Sequence, residues 1–160
     1  MTGEVVDRVL ELHSEAAQER LGAGIAAACE APLLIFLEGE LGAGKTTLAR
    51  GFLRALGHRG AVKSPTYTLI ESYDVDGTAV FHLDLYRVAD PEELEYLGLR
   101  ELLAETALVL VEWPERGAGW LPAPDLRVCI RHCPDGRRIE LSAPGTRGRQ
   151  IIERLPHDLQ

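Results

Sequence analysis

The residues Gly39-Glu40-Leu41-Gly42-Ala43-Gly44-Lys45-Thr46, followed by Thr47, satisfy every fixed position of the phosphate-binding pattern G-x-x-x-x-G-K-[ST]. Each residue type has a chemical reason to be there. Gly39, Gly42 and Gly44 let the backbone take dihedrals closed to other residues and approach phosphate oxygens. Successive N–H groups from Leu41 through Ala43 and into Thr47 then form an anion nest, and the start of a helix adds about half a positive charge. Lys45 is expected to reach the β- and γ-phosphates of a bound nucleotide, and the Thr46 hydroxyl to bind Mg²⁺. The bland alternative is a Gly-rich turn joining a strand to a helix. The chemistry read here is ATP binding with Mg²⁺.

A second oxygen ligand for Mg²⁺ is expected from an acidic residue at the end of a neighbouring apolar strand. Glu112, directly after the run Ala107-Leu108-Val109-Leu110-Val111, fits that description cleanly. Asp is the usual residue there, and a strand-end Glu solvated in a loop is the competing reading. In Phe81-His82-Leu83-Asp84-Leu85-Tyr86-Arg87, residues 81, 83 and 85 share one face, which leaves His82 and Asp84 together on the other. Asp84 is a candidate for ordering the attacking water or a Mg²⁺ ligand, against plain polar alternation on a solvated sheet face. Arg87 is a candidate finger for transition-state charge, or a surface Arg. The hydroxyls and amides of Ser64-Pro65-Thr66 are candidates for a switch that orders around a γ-phosphate, or simply a loop of small residues. Cys129, His132 and Cys133 are one ligand short of a zinc site, and strand alternation separates Cys129 from His132.

The elements that must position these groups follow from periodicity and turn chemistry. Leu33–Leu37 is a continuous apolar run and reads as a strand buried on both faces. Leu48, Phe52 and Leu56 recur every four residues and mark a helix that stops at Gly57. Ser14 reads as the cap of an earlier helix whose face carries Ala17, Leu21, Ile25 and Ala28. Residues 1–13 fit an edge strand or a short helix equally. Two strands, 69–74 and 79–85, turn at Asp76-Gly77, a strong hairpin signal. Asp90-Pro91-Glu92-Glu93 opens a helix to about Leu97, broken at Gly98 before a second short helix. Arg127–His132 and Arg137–Ser142 pair across Pro134-Asp135-Gly136. The tail from about 144 is expected to be loosely attached, with a short helix around Ile151 and Ile152. The fold class expected is α/β: a mixed central sheet, parallel in its core with antiparallel hairpins, flanked by helices, in one domain over 1–160.

Composition narrows the partners. The chain has 160 residues, of which 46% are hydrophobic, enough for one domain with a core. No apolar run is long enough for a membrane span, so no membrane association is expected. Three cysteines without framework spacing suit a reducing cytoplasm. The net charge of −8, with only scattered Arg between Arg127 and Arg154, argues against strong direct binding to tRNA or other nucleic acid.

Five stretches together resemble the TsaE (also YjeE) family, bacterial phosphate-loop ATPases of tRNA threonylcarbamoyladenosine synthesis. They are residues 39–47, Ser64-Pro65-Thr66-Tyr67-Thr68, His82-Leu83-Asp84-Leu85-Tyr86-Arg87, residues 90–98 and Val111-Glu112-Trp113-Pro114-Glu115. The resemblance implies ATP and Mg²⁺ binding, slow hydrolysis, and action with the TsaD–TsaB pair. It implies Thr46 and Glu112 as Mg²⁺ ligands, Asp84 as the acidic residue needed for turnover, and the Ser64–Thr66 segment, with Thr66, as switch-like. Trp113 matches the aromatic beside the Mg²⁺ Glu, and Glu15 a position near the nucleotide base. A small-molecule or nucleotide kinase would use the same loop but need an Arg-rich lid, and none stands between 85 and 125. A GTPase would need an Asn-Lys-x-Asp motif, which the chain lacks.

Overall fold

In the computed structural model, which describes residues 5–159, the chain runs β1 (Arg8–Leu12), α1 (Glu15–Ala28), β2 (Leu33–Gly39), α2 (Lys45–Leu56), β3 (Ile70–Val75), β4 (Thr78–Asp84), α3 (Glu93–Tyr96), α4 (Leu99–Ala104), β5 (Ala107–Glu112), β6 (Leu126–Cys133), β7 (Gly136–Ser142) and α5 (Thr146–Arg154), with a 3-10 turn at Pro114–Gly117. The seven strands form one sheet in the order β1-β7-β6-β2-β5-β4-β3. Strands β6, β2, β5 and β4 are parallel, while β1, β7 and β3 join as antiparallel edges. This is the expected mixed α/β sheet flanked by helices.

The two continuous apolar runs become the central neighbours β2 and β5, in register from Leu33↔Leu108 to Leu37↔Glu112. Their alternate residues feed two cores. Leu33, Ile35, Leu37, Leu108 and Leu110 pack under α1, α2 and α5, and Leu34, Phe36, Val109 and Val111 pack under α3 and α4. A strand covered on both faces has no polar side to show, which is why no alternation is visible in these runs.

Local chemistry sets the boundaries. The Ser14 hydroxyl accepts the Ala17 N–H at 3.0 Å and caps α1. Asp76 and Gly77 both hold positive φ, 51° and 85°, the geometry of the tightest hairpin turn. The undecided N-terminal segment forms edge strand β1, paired with β7 from Arg8↔Leu141 to Leu12↔Arg137; residues 1–4 lie outside the described residues.

One expectation is corrected, one helix is shorter than expected and one alternative reading is excluded. Asp90 opens the segment as expected, its carbonyl accepting the Glu93 N–H at 2.9 Å, but the regular helix it leads into is shorter. Its carboxylate accepts the Glu92 N–H at 3.0 Å in a turn, and α3 is a single helical turn beginning at Glu93. The segment after 144 is not loose, because Ile151, Ile152, Leu155 and Leu159 are all buried in the core beside α1. The His82–Asp84 face of β4 is not solvated: His82 is 0% and Asp84 4% exposed.

Helices α1 and α2 approach closely through glycines that periodicity does not explain. A Cβ on Gly22 would overlap the Leu48 carbonyl and lie 2.8 Å from the Phe52 nitrogen, and one on Gly51 would overlap the Glu19 backbone. This contact matters to the site, because α1 carries Glu15 and Gln18 while α2 begins with Lys45 and Thr46. Gly22→Ala and Gly51→Ala are therefore expected to lower stability by about 1–3 kcal/mol, since backbone cannot yield as a side chain can. Gly24→Ala is the control: its Cβ would meet only side-chain atoms, the nearest Leu155 Cδ2 at 3.2 Å. Thermal melts of the three variants check this, and equal melting temperatures would refute the backbone contact.

Candidate functional site

The C-terminal ends of β2, β5 and β4 deliver Gly39, Glu112 and Asp84 side by side, with Asp84 and Glu112 in direct register. Ligands of open α/β sheets bind at this end. A cleft of about 380 Å³ opens there, and every sequence-predicted site residue except Gly39 lines it: Glu15, Leu41, Gly42, Ala43, Gly44, Lys45, Thr46, Thr47, Thr66, Asp84 and Glu112. Gly39 sits just behind, at φ 151°, where a Cβ would press on the Ile130 carbonyl at 2.5 Å.

The loop's glycines are needed for stated reasons. Gly44, the N-cap of α2, has φ 109°, and a Cβ there would run into the buried Gln18 side chain. The first amides of α2 have no partner within the helix, as an anion site requires, and Lys45, Thr46 and Thr47 line the cleft. Lys45 is 5% exposed. Its ammonium donates to the Gly39 carbonyl and to the Glu40 carbonyl, the latter at 3.2 Å, and stands 4.3 Å above the Trp113 ring. Burial pulls its pKa below the ordinary lysine value, with Glu112, Asp84 and Glu115 pulling the other way.

The acidic side is tied together by hydrogen bonds. Thr46 Oγ1 donates to Glu112 Oε2 at 3.2 Å, and His82 Nε2 contacts the same oxygen at 2.6 Å. A carboxylate only accepts, so the His82 hydrogen belongs on Nε2. His82 Nδ1 is buried with no partner, which is cheaper as a bare lone pair than as an N–H. Asp84 Oδ2 accepts the Thr66 hydroxyl at 3.1 Å, and Thr66 in turn meets Ser64 Oγ at 2.8 Å. Asp84 Oδ1 accepts the Tyr86 N–H at 3.0 Å. Burial raises the Asp84 pKa above the usual carboxylate value; the Tyr86 N–H opposes this, and the Glu112 charge adds to it. The Ser64–Thr66 loop thus docks on the Asp84 carboxylate, a contact its sequence did not suggest.

Arg137 and Gln18 are cleft residues that the sequence did not point to, while Trp113 was placed beside Glu112 by resemblance and Arg87 was a candidate finger. Arg137 of β7 lines the cleft and binds loop carbonyls. Gln18 forms the floor under Gly44. His82 was noted only for its face. Trp113 adopts φ 56°, which turns its ring toward Lys45 and against Tyr86, with ring centroids 5.0 Å apart. Arg87 stays away from the cleft, with its guanidinium 4.4 Å over Tyr67. Only the β4 alternation held a signal, because it placed His82 beside Asp84. A long-range contact such as Arg137 to the loop leaves no trace in local spacing.

Comparison with known proteins gives a consistent picture. The family model described as Threonylcarbamoyl adenosine biosynthesis protein TsaE matches residues 12–139. The Haemophilus influenzae protein named tRNA threonylcarbamoyladenosine biosynthesis protein TsaE is 50% identical over 123 residues, covering 77% of this chain and 78% of that one. The Bacillus subtilis protein of the same name is 39% identical over 127 residues, covering 78% of this chain and 79% of that one. A crystal structure of Bacillus subtilis YdiB superposes with a TM-score of 0.80 at 29% identity, over 94% of this chain and 95% of that one.

The His82–Glu112 contact predicts a measurable coupling. Removing the donor leaves a buried carboxylate short of a partner, so His82→Leu is expected to destabilise the fold by about 3 kcal/mol. The loss should shrink in the Glu112→Gln background, where no charge needs the donor. A double-mutant cycle by urea unfolding checks this, and additive losses would show that the two side chains do not interact.

Proposed function

The chain belongs to the TsaE family, and from that membership and the site geometry we propose that it binds ATP with Mg²⁺, hydrolyses it slowly, and serves tRNA threonylcarbamoyladenosine modification with the TsaD–TsaB pair. One observation carries the nucleotide half: Lys45, Thr46, Glu112 and Asp84 converge on one cleft at the mouth of a glycine loop. The pathway half is supported by the relatives' names. A cytoplasmic setting suits the three free thiols, and no helix among the described residues is long and apolar enough to cross a membrane.

Each side chain has a part in this reading. The loop amides and Lys45 hold the phosphates, with Lys45 giving up part of its bonding to Gly39 and Glu40 to do so. Among the described residues no three His, Cys, Asp or Glu side chains form a metal cage. Thr46 Oγ1 and Glu112 Oε2 nonetheless offer two hard oxygens 3.2 Å apart. That donor set fits Mg²⁺, which takes one or two protein ligands beside phosphate and water oxygens. When bound there, Mg²⁺ would neutralise charge on the phosphates. His82 fixes the Glu112 oxygen that shares this contact with Thr46. Asp84, held by Thr66 and Tyr86, orients a water toward the γ-phosphate and takes its proton on a carboxylate oxygen; its raised pKa makes it the better base. Attack of the water oxygen on the γ-phosphorus breaks its bond to the β–γ bridging oxygen, giving ADP and phosphate. Glu15, which lines the same cleft, is the residue this reading sets beside the base.

Three variants separate these roles. Lys45→Ala is expected to weaken ATP binding at least tenfold, since it removes a charge-assisted contact of about 1.5–3 kcal/mol. Wild-type affinity in calorimetry would refute the loop assignment. Asp84→Asn should keep ATP affinity while phosphate release falls about 100-fold, the usual contribution of a general base; unchanged turnover would remove Asp84 from the chemistry. Glu112→Gln should raise the Mg²⁺ concentration needed for half-maximal binding. For the pathway half, capture by purified TsaD–TsaB should depend on whether ATP, ADP or neither is present. No capture under any of the three conditions would sink the partnership.

A further inference from the structure

We infer that Arg137 is a positioning residue for the phosphate loop: it anchors two of the loop's carbonyls so that the turn at Ala43 stays closed and the Gly44 amide faces the phosphate. The inference rests on the nucleotide reading above and extends it to a residue 94 positions away in sequence, on the antiparallel hairpin rather than in the loop or the parallel core.

The geometry is a three-point anchor. Arg137 Nε donates to the Ala43 carbonyl at 3.0 Å, one terminal nitrogen to the Gly42 carbonyl at 3.3 Å, and the other to the Gly136 carbonyl at 2.9 Å. In a trans peptide the C=O and the following N–H point in opposite directions. Holding the Ala43 carbonyl toward Arg137 therefore directs the Gly44 N–H the other way. Holding the Gly42 carbonyl does the same for the Ala43 N–H, which closes a turn on the Glu40 carbonyl at 3.1 Å.

An anchor is needed at this place because the loop has few other constraints. Gly42 and Gly44 hold positive φ, 77° and 109°, and flexible glycine peptides can flip. A flipped peptide would present an oxygen to the phosphate in place of an N–H. Lys45 secures the Gly39 and Glu40 carbonyls, but phosphate competes for that ammonium. Arg137 is bound to different carbonyls of the same loop. Its fork matches two adjacent carbonyls, which a single ammonium point charge cannot.

The anchor is itself held tightly. A Cβ at Gly136 would overlap the Leu12 carbonyl of edge strand β1, so the backbone beside Arg137 is pressed against the sheet edge. Edge strand, hairpin and loop are thereby joined through one side chain.

The test uses the full chain with Arg137→Ala and Arg137→Lys, checked for folding by melting temperature. ADP and inorganic tripolyphosphate are the probes, the second reporting on the loop alone. Loss of charged hydrogen bonds predicts affinity about ten- to hundredfold weaker in Arg137→Ala, equally for both probes, with Arg137→Lys between that and wild type. The amide resonances of Ala43 and Gly44 should shift in the variants before any ligand is added. If Arg137→Ala does not fold, Arg137→Lys carries the same comparison. Unchanged tripolyphosphate affinity would overturn the inference. So would weakened affinity with unmoved Ala43 and Gly44 resonances, because Arg137 would then touch the ligand directly. Lys45→Ala is the separate control: if it fails to weaken ADP, the nucleotide reading has failed and not the anchor.

Discussion

Four ionisable side chains are buried at one end of this sheet, and the surrounding structure is built to satisfy them. Lys45, Asp84, Glu112 and His82 are each 5% exposed or less. An unpaired charge in that position costs several kcal/mol, so every one needs partners. Lys45 takes the Gly39 and Glu40 carbonyls, Glu112 takes Thr46 and His82, and Asp84 takes Thr66 and the Tyr86 amide. The opposite charges also work against the burial that lowers the Lys45 pKa. The contacts that satisfy these groups are the same ones that aim them into the cleft.

That arrangement depends on rigid supports. Strand β5 is buried along its whole length and holds Glu112 in register with Asp84. Helix α2 can start at the loop only because α1 lies against it, backbone to backbone at Gly22 and Gly51. Gln18 fills the space that the absent Cβ of Gly44 leaves. On the other side, Arg137 reaches over from β7. The loop is thus gripped from both flanks by segments remote from it in sequence, while its amides stay available.

The Ser64–Thr66 loop has a different character. Its tie to the site is the Thr66 hydroxyl on Asp84, and neighbouring Tyr67 is 80% exposed. A segment held by a few hydrogen bonds near a phosphate site changes state more readily than a packed strand. Trp113, at positive φ against both Lys45 and Tyr86, connects the end of β5 to that same side of the cleft.

Much of this was legible in the chain itself. The glycine loop, the apolar runs 33–37 and 107–111, the Asp76-Gly77 turn and the Ser14 cap are local patterns whose physics acts over a few residues. They determined the strand-loop-helix unit, the central strands and the acidic residue at the end of β5. Local signals misjudged or left open what distant packing decides. The tail is drawn into the core by Ile151 and Leu155, and whether the polar face of β4 is solvated or covered, which periodicity left open, is decided by burial of His82 and Asp84. Sheet order, the His82–Glu112 contact, the glycine contact of α1 with α2 and the Arg137 anchor came from tertiary structure alone. Each joins residues tens of positions apart, and no spacing rule encodes a contact that exists only after the chain has closed on itself.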